Sequence, residues 1–187
     1  MRRNLPNAIT LSRLLLVPPI VLGILGEASL AVAMLLLAAA LDVLDGVLAR
    51  RLGEVTPFGQ TVDPLVDKVV IASALLALVA EGRVPLWVLL AVLARDVAVT
   101  CLRFVAAKRD VVIPASRLGK RKMDLQLLAV LAAIVASDPG AWWVETLLVL
   151  AVGLTIVSGV GYFASLIRGS RRKAVQVAVG QRLPGRA

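Results

Sequence analysis

Long apolar runs alternate with short polar or basic segments along most of the chain. A helix needs about 20 predominantly apolar residues to cross a hydrocarbon layer about 30 Å thick, and six runs come close to that length. They lie at residues 7–26, 28–50, 60–80, 84–107, 118–137 and 141–167. The pattern predicts an all-α integral membrane protein with six transmembrane helices.

Basic residues concentrate in every second connection between these runs. Arg50 and Arg51 lie at the end of the second run, a basic segment covers residues 108–122, and a third cluster at 168–173 follows the sixth run. The alternate connections carry Arg83 beside acidic residues such as Glu81. Because Lys and Arg concentrate in cytoplasmic loops, we expect a multi-pass protein of the inner (cytoplasmic) membrane with both termini in the cytoplasm.

Composition restricts the chemistry. Hydrophobic residues make up 59% of the chain, and 21 Lys and Arg against 12 Asp and Glu give a formal net charge of +9. In a chain this apolar, the positive charge favours anionic membrane lipid as a partner over nucleic acid. The sequence has no histidine and a single cysteine, Cys101. Imidazole bases, histidine metal ligands and intramolecular disulfides are therefore excluded, and catalysis has to use carboxylates, Lys or Arg.

Two stripes of carboxylates and small residues lie on neighbouring predicted helices. In chain order they contain Asp42, Asp45, Gly46 and Ala49 on the second helix, and Gly59, Asp63 and Asp67 on the third. Spacings of three and four residues place each stripe on one helical face. Since a short connection joins the two helices as antiparallel neighbours, we expect the four carboxylates to meet near the cytoplasmic end of the membrane.

These carboxylates need counter-charge, because an ionised Asp at the centre of a membrane helix costs roughly 2.5 to 3.5 kcal/mol. Carboxylate oxygens suit hard divalent cations, and two Mg²⁺ ions about 4 Å apart commonly clamp a transferring phosphoryl group. The alternative is pairing with internal cations in a bundle without chemistry. The candidates for that pairing are Arg13, Arg50, Lys68 and Arg95.

The segment from Asp42 to Asp67 resembles the signature of the CDP-alcohol phosphatidyltransferases, D-x2-D-G-x2-A-R-x8-G-x3-D-x3-D. The fixed positions are matched by Asp42, Asp45, Gly46, Ala49, Arg50, Gly59, Asp63 and Asp67. The resemblance implies the fold of that family, with six transmembrane helices in one phosphatidyltransferase domain over residues 1–187, of which 169–187 form a basic cytoplasmic tail. It also implies a homodimer and a cytoplasm-facing site, where an alcohol displaces CMP from a CDP-linked substrate.

The resemblance also implies roles for individual residues. Asp42, Asp45, Asp63 and Asp67 would bind two divalent cations, Mg²⁺ or Mn²⁺, and Asp67 would also be the catalytic base for the acceptor hydroxyl. The nucleotide would be seated by Gly46, Ala49, Arg50 and Gly59. For Asn7, Thr10 and Arg13, which form a polar stripe at the start of the first run, two interpretations stay open. They line the nucleotide site, or they pair with a neighbouring carboxylate.

Outside the signature, the chain is similar to the branch of the family that transfers the phosphatidyl group of CDP-diacylglycerol to glycerol 3-phosphate. The similar segments are NLPNAITLSRLLLVP, DPLVDK, LARDVAVTCLR and PASRLGKRKMDLQ. Cations near the site agree with a phosphorylated acceptor, because a dianion is held by charge-assisted hydrogen bonds. The predicted acceptor-binding residues are Arg103, Arg117, Lys120 and Lys122.

Two alternative functions are open, and each can be tested. The same chemistry can use another acceptor, either phosphatidylglycerol, as in cardiolipin synthesis, or inositol phosphate. A protein of a different class, a cation transporter, would use the Asp cluster as a transport site. The full signature and the lack of repeated halves weigh against transport. Metal-dependent release of CMP would distinguish an enzyme from a transporter.

Overall fold

A computed structural model of the chain describes residues 12–52, 57–108 and 117–160. Across these ranges the backbone is helical apart from short connections, and they contain no β-strand. A 3₁₀ turn, Arg13–Leu16, leads into α1, Val17–Gly26. The helices that follow are α2 (Ala28–Leu52), α3 (Pro57–Ala80), α4 (Leu86–Lys108), α5 (Arg117–Val135) and α6 (Trp142–Val160). The all-α prediction is confirmed for the described ranges, and the predicted tail at 169–187 lies outside them.

Within the described ranges, two segments are long and apolar enough to cross a membrane, judged by length and composition. They are Ala28–Leu48 within α2 and Trp142–Val160, which is α6. The apolar stretch Arg13–Gly26 is shorter. Because α3, α4 and α5 contain charged residues that lower their apolar character, the count of six membrane spans stays a prediction.

The packing places α3 at the centre of the described bundle. It contacts α1, α4, α5 and the 3₁₀ turn, whereas α2 packs against α1, α5 and the same turn. Fully buried side chains from several helices fill the space between them, among them Ile20, Leu35, Leu75, Leu78, Val130 and Val144. The 3₁₀ turn therefore lies against the two helices that carry the signature carboxylates.

A tight hairpin between α1 and α2 fixes the position of that turn. Glu27, in an extended conformation, separates the two helices. Gly23 on α1 approaches α2 so closely that a Cβ atom there would lie 2.5 Å from the backbone nitrogen of Ala31. Because real Cβ contacts are not this short, a larger residue at position 23 would push α1 away from α2.

The outer surface of the bundle is unusually apolar. Large hydrophobic side chains are exposed on every described helix, such as Leu22 on α1, Leu44 on α2, Leu76 on α3, Val97 on α4, Leu128 on α5 and Ile156 on α6. Trp87 near the start of α4 and Trp142 at the start of α6 are also exposed. Soluble monomers rarely expose apolar surface on this scale, so the surface fits lipid or a partner subunit better than water.

Candidate active site

Two of the four signature carboxylates meet at a buried arginine. Arg13 donates from Nη1 to Oδ1 of Asp42 at 2.8 Å, and from Nη2 to Oδ1 of Asp67. The Arg13 side chain is 4% exposed, compared with 42% for Asp42 and 13% for Asp67. A single guanidinium group thus bridges carboxylates from α2 and α3, with its two terminal nitrogens each bound to one of them.

The local sequence explains why these three groups converge. Asp42 lies on α2 and Asp67 on α3, and α1 packs against both of these helices. Arg13 is the first residue of the 3₁₀ turn, which contacts both helices. Of the two interpretations of the polar stripe at residues 7–13, pairing with a neighbouring carboxylate is confirmed for Arg13. Asn7 and Thr10 lie outside the described residues.

The other signature residues are on the predicted helices, although most of their side chains lie outside the described part of the structure. Asp45 is one turn after Asp42 on α2, and Asp63 is one turn before Asp67 on α3. Gly46 is half-buried on α2. The backbone of α2 and α3 also includes Ala49, Arg50 and Gly59, whose surroundings are not described. Helical spacing therefore places Asp45 and Asp63 within one turn of the bridged pair.

The described donor groups suit a hard cation. Asp42 and Asp67 offer carboxylate oxygens from two helices, α2 and α3, and both already bind a positively charged group, the Arg13 guanidinium. Hard divalent ions such as Mg²⁺ and Mn²⁺ prefer oxygen ligands of this kind. Among the described side chains, no group of three or more possible metal ligands occurs. Two of the four predicted ligands, Asp45 and Asp63, are not among those side chains.

A second polar cluster surrounds Asp96 on α4. Oδ1 of Asp96 accepts hydrogen bonds from Nη1 of Arg95 at 2.8 Å and from Nζ of Lys122, on α5, at 2.7 Å. Lys68, the residue after Asp67 on α3, donates from Nζ to the Asp96 carbonyl oxygen at 3.2 Å and to the hydroxyl of Thr100. We call these five residues the Asp96 cluster. It contains three cations and one carboxylate, and it ties α3 and α5 to α4.

Arg95 extends this network to α6. Its Nε donates to the Thr155 carbonyl oxygen at 3.1 Å, and its Nη2 donates to the Ser158 hydroxyl at 2.7 Å. Thr155 and Ser158 are both buried in α6. The Arg95 guanidinium therefore joins α4 to α6 in addition to binding Asp96.

Among the predicted acceptor-binding residues, the described side chain is that of Lys122, which is buried and bound to Asp96. The side chains of Arg103, Arg117 and Lys120 lie outside the described part of the structure. Sequence reasoning considered Lys68 and Arg95 as counter-ions for the signature carboxylates and missed that both bind Asp96 or its neighbours. The signal available in the sequence was the charged pair Arg95–Asp96 inside an apolar run.

Comparison with known proteins agrees with the signature. Residues 3–157 match the sequence profile of the CDP-alcohol phosphatidyltransferase family. A CDP-diacylglycerol–glycerol-3-phosphate 3-phosphatidyltransferase of Bacillus subtilis is 36% identical over 181 residues, covering 86% of this chain and 94% of that protein. A probable phosphatidylglycerophosphate synthase of Mycobacterium tuberculosis is 39% identical over 173 residues, covering 88% of this chain and 82% of that protein.

A third similar protein comes from Rickettsia felis. The CDP-diacylglycerol–glycerol-3-phosphate 3-phosphatidyltransferase of Rickettsia felis is 34% identical over 171 residues, covering 86% of this chain and 94% of that protein. These alignments extend well beyond the signature segment on both sides. With a family profile that covers most of its length and relatives of this identity, the chain belongs to the CDP-alcohol phosphatidyltransferase family.

Proposed function

We propose that this protein transfers the phosphatidyl group from CDP-diacylglycerol to glycerol 3-phosphate, releasing CMP and forming phosphatidylglycerophosphate for phospholipid biosynthesis. The observation that carries the proposal is the convergence of Asp42 and Asp67, from two helices, on one buried cationic group. The names of the similar proteins from Bacillus subtilis and Rickettsia felis supply the donor and the acceptor. The single-domain organisation over residues 1–187 belongs to the same proposal.

The enzyme acts in the inner membrane as a six-span, multi-pass protein with its termini and active site in the cytoplasm. The apolar surface on every described helix supports contact with lipid tails. A site among membrane helices suits this reaction, since the diacylglycerol part of the donor is itself embedded in lipid. The same apolar surface leaves room for a homodimer interface.

The donor site comprises the four signature carboxylates and the small residues beside them. Asp42, Asp45, Asp63 and Asp67 would hold two divalent cations, Mg²⁺ or Mn²⁺, and such ions would neutralise charge on the diphosphate and make CMP a better leaving group. The nucleotide is seated by Gly46, Ala49, Arg50 and Gly59. Glycine and alanine leave space for a planar base, and Arg50 offers a fork of N–H donors to phosphate or cytosine oxygens.

The chemical step is a displacement at the phosphorus that bears diacylglycerol. The primary hydroxyl oxygen of glycerol 3-phosphate forms the new bond to this phosphorus, and the bond from this phosphorus to the phosphate oxygen of CMP breaks. The hydroxyl proton passes to Asp67, which acts as the general base. Low exposure of Asp67, at 13%, supports this role because water competes poorly for a partly buried carboxylate.

The acceptor phosphate is bound by cations beside the donor site. We assign Arg103, Arg117, Lys120 and Lys122 to this role. The Asp96 cluster supports the assignment, since its three cations outnumber its one carboxylate, and Lys68 follows Asp67 directly in the sequence. Lys122 has three N–H donors, of which one binds Asp96 among the described residues, and an ammonium group with further donors is suited to binding a dianion.

The test is an acceptor panel with the purified full-length protein in lipid nanodiscs. CMP release from CDP-diacylglycerol is measured with glycerol 3-phosphate, glycerol, phosphatidylglycerol and inositol phosphate, each with Mg²⁺ and with EDTA. We expect Mg²⁺-dependent release with glycerol 3-phosphate and little with glycerol. Preference for phosphatidylglycerol or inositol phosphate would replace the acceptor but keep the donor chemistry. No CMP release with any acceptor would refute the enzyme and favour a transport role.

A further inference from the structure

Arg13 is held in the bundle by the two carboxylates and by no third polar contact within the described residues. Its Nη1 and Nη2 bind Asp42 and Asp67, whereas its buried Nε has no hydrogen-bond partner there. The side chain is 4% exposed, so water supplies little solvation. Arginine remains protonated even when buried, and such a charge is tolerated only beside counter-charge. The position of Arg13 therefore depends on the same oxygens that the proposed cations need.

This dependence implies that Arg13 and a divalent cation compete for the carboxylate oxygens of Asp42 and Asp67. A divalent cation that binds Oδ1 of Asp42 or Asp67 must share that oxygen with the guanidinium or displace it, because the two positive charges repel each other at such short distances. Displacement leaves Arg13 without its described partners. Metal binding then has to be strong enough to break two charge-assisted hydrogen bonds.

We propose that Arg13 is an internal counter-cation of Asp42 and Asp67 that competes with a divalent cation for their carboxylate oxygens. This inference rests on the metal site of the proposed function. Its consequence is a metal affinity that is set in part by an internal competitor. The three groups come from the 3₁₀ turn, α2 and α3, and the same contact therefore fastens those elements to one another.

A supporting role for Arg13 in the metal site predicts the opposite change in metal affinity when Arg13 is removed. If Arg13 served to orient the carboxylates as metal ligands, its removal would weaken metal binding, as loss of supporting hydrogen bonds around metal ligands usually does. If Arg13 competes with the cation, its removal strengthens metal binding and destabilises the metal-free protein. Metal affinity, measured without substrate, separates the two roles.

The experiment compares wild type, Arg13→Gln and Arg13→Lys as full-length protein in nanodiscs. Mn²⁺ binding is measured by electron paramagnetic resonance of the free ion, and thermal unfolding is followed in EDTA and in saturating Mg²⁺. For Arg13→Gln we expect Mn²⁺ to bind roughly ten- to a hundredfold more tightly, or about 1.4 to 2.8 kcal/mol. We also expect a lower Tm in EDTA and a larger increase in Tm on adding Mg²⁺. Arg13→Lys, with one charged nitrogen instead of a fork, should lie between wild type and Arg13→Gln.

Arg83→Gln is the matched control, because Arg83 binds backbone carbonyls instead of carboxylates. It should lower Tm equally with and without Mg²⁺ and leave Mn²⁺ affinity unchanged. Unchanged or weaker Mn²⁺ binding by Arg13→Gln would overturn the competition and leave the proposed function intact. If Arg13→Gln does not fold, the same comparison is made with Arg13→Lys. Absence of Mn²⁺ binding by the wild type would overturn both this inference and the metal site.

Discussion

Arg13 and Arg83 are two inward-turned arginines whose partners differ in kind. Arg13 binds the carboxylates of Asp42 and Asp67, which belong to the family signature. Arg83, in the turn after α3, donates from Nη1 to the carbonyl oxygens of Ala133, Ile134 and Ala136 at 2.9, 3.2 and 3.0 Å. Those carbonyls belong to the end of α5, where helical backbone lacks its own hydrogen-bond partners. The chemical nature of the partners therefore distinguishes Arg13, a residue of the candidate site, from Arg83, which has a structural role.

The comparison extends to the surrounding groups. Around Arg83 the partners are neutral and belong to the backbone, so the contact completes a fold that requires no ligand. Around Asp42, Asp67 and Asp96, charged side chains face each other in an apolar bundle. Partly buried ion pairs of this kind are weak sources of stability, because desolvation offsets much of their attraction. Their concentration in one region indicates that function, more than stability, accounts for them.

The largest effect should come from the signature carboxylates. Changing Asp42, Asp45, Asp63 or Asp67 individually to Asn should lower kcat/KM at least about a hundredfold, because each change removes charge from the group that stabilises the transferring phosphoryl. CMP release in nanodiscs measures the effect. Glu145→Gln, an equivalent carboxylate-to-amide change at an exposed position of α6, is the control and should keep normal activity. Near-normal turnover in any two of the four variants would contradict the two-cation assignment.

Substitution of Asp67 should affect kcat more selectively than substitution of the other three signature carboxylates. As general base it acts on the acceptor hydroxyl, so Asp67→Asn should lower kcat more than it weakens CDP-diacylglycerol binding. Turnover and equilibrium binding of the nucleotide lipid are measured on the same preparations, with Asp42→Asn for comparison. Equal losses of turnover and affinity in Asp67→Asn would leave Asp67 with its metal role alone.

A more selective effect is expected at the acceptor site. Lys122→Gln should raise the KM for glycerol 3-phosphate roughly ten- to a hundredfold, because a charge-assisted contact contributes about 1.5 to 3 kcal/mol. Arg103→Gln and Lys120→Gln should act in the same direction. Affinity for CDP-diacylglycerol should change little in all three variants. A change confined to the lipid substrate would place these cations at membrane headgroups instead of at the acceptor.

Helix positions and the signature face could be read from the sequence because they depend on local periodicity. Apolar runs predicted α2 and α3, and spacings of three and four placed Asp42 and Asp67 on facing sides of a short hairpin. The structure confirms that these two carboxylates converge. The grouping of Asp45 and Asp63 with them stays a prediction.

Contacts that depend on packing between distant helices could not be read in the same way. Arg13 is 29 residues from Asp42 and 54 from Asp67, and Lys122 is 26 residues from Asp96. Periodicity fixes which face of a helix a residue occupies, but not which neighbouring helix that face meets. For this reason the sequence left Arg13 between two roles and gave no partner for Asp96 or Arg83.

The smallest effect on chemistry, and a clear effect on stability, is expected from Arg83→Gln. A shorter neutral side chain loses the charge-assisted contacts to the three carbonyl oxygens at the end of α5, so the free energy of unfolding should fall by about 1 to 3 kcal/mol. Activity per folded molecule should be unchanged, since none of these partners is a proposed substrate or metal ligand. Thermal unfolding and CMP release, measured on the same sample and normalised to folded protein, separate the two quantities. A loss of activity at full stability would mean that Arg83 is coupled to the site, and the distinction between arginines bound to carboxylates and arginines bound to backbone would fail.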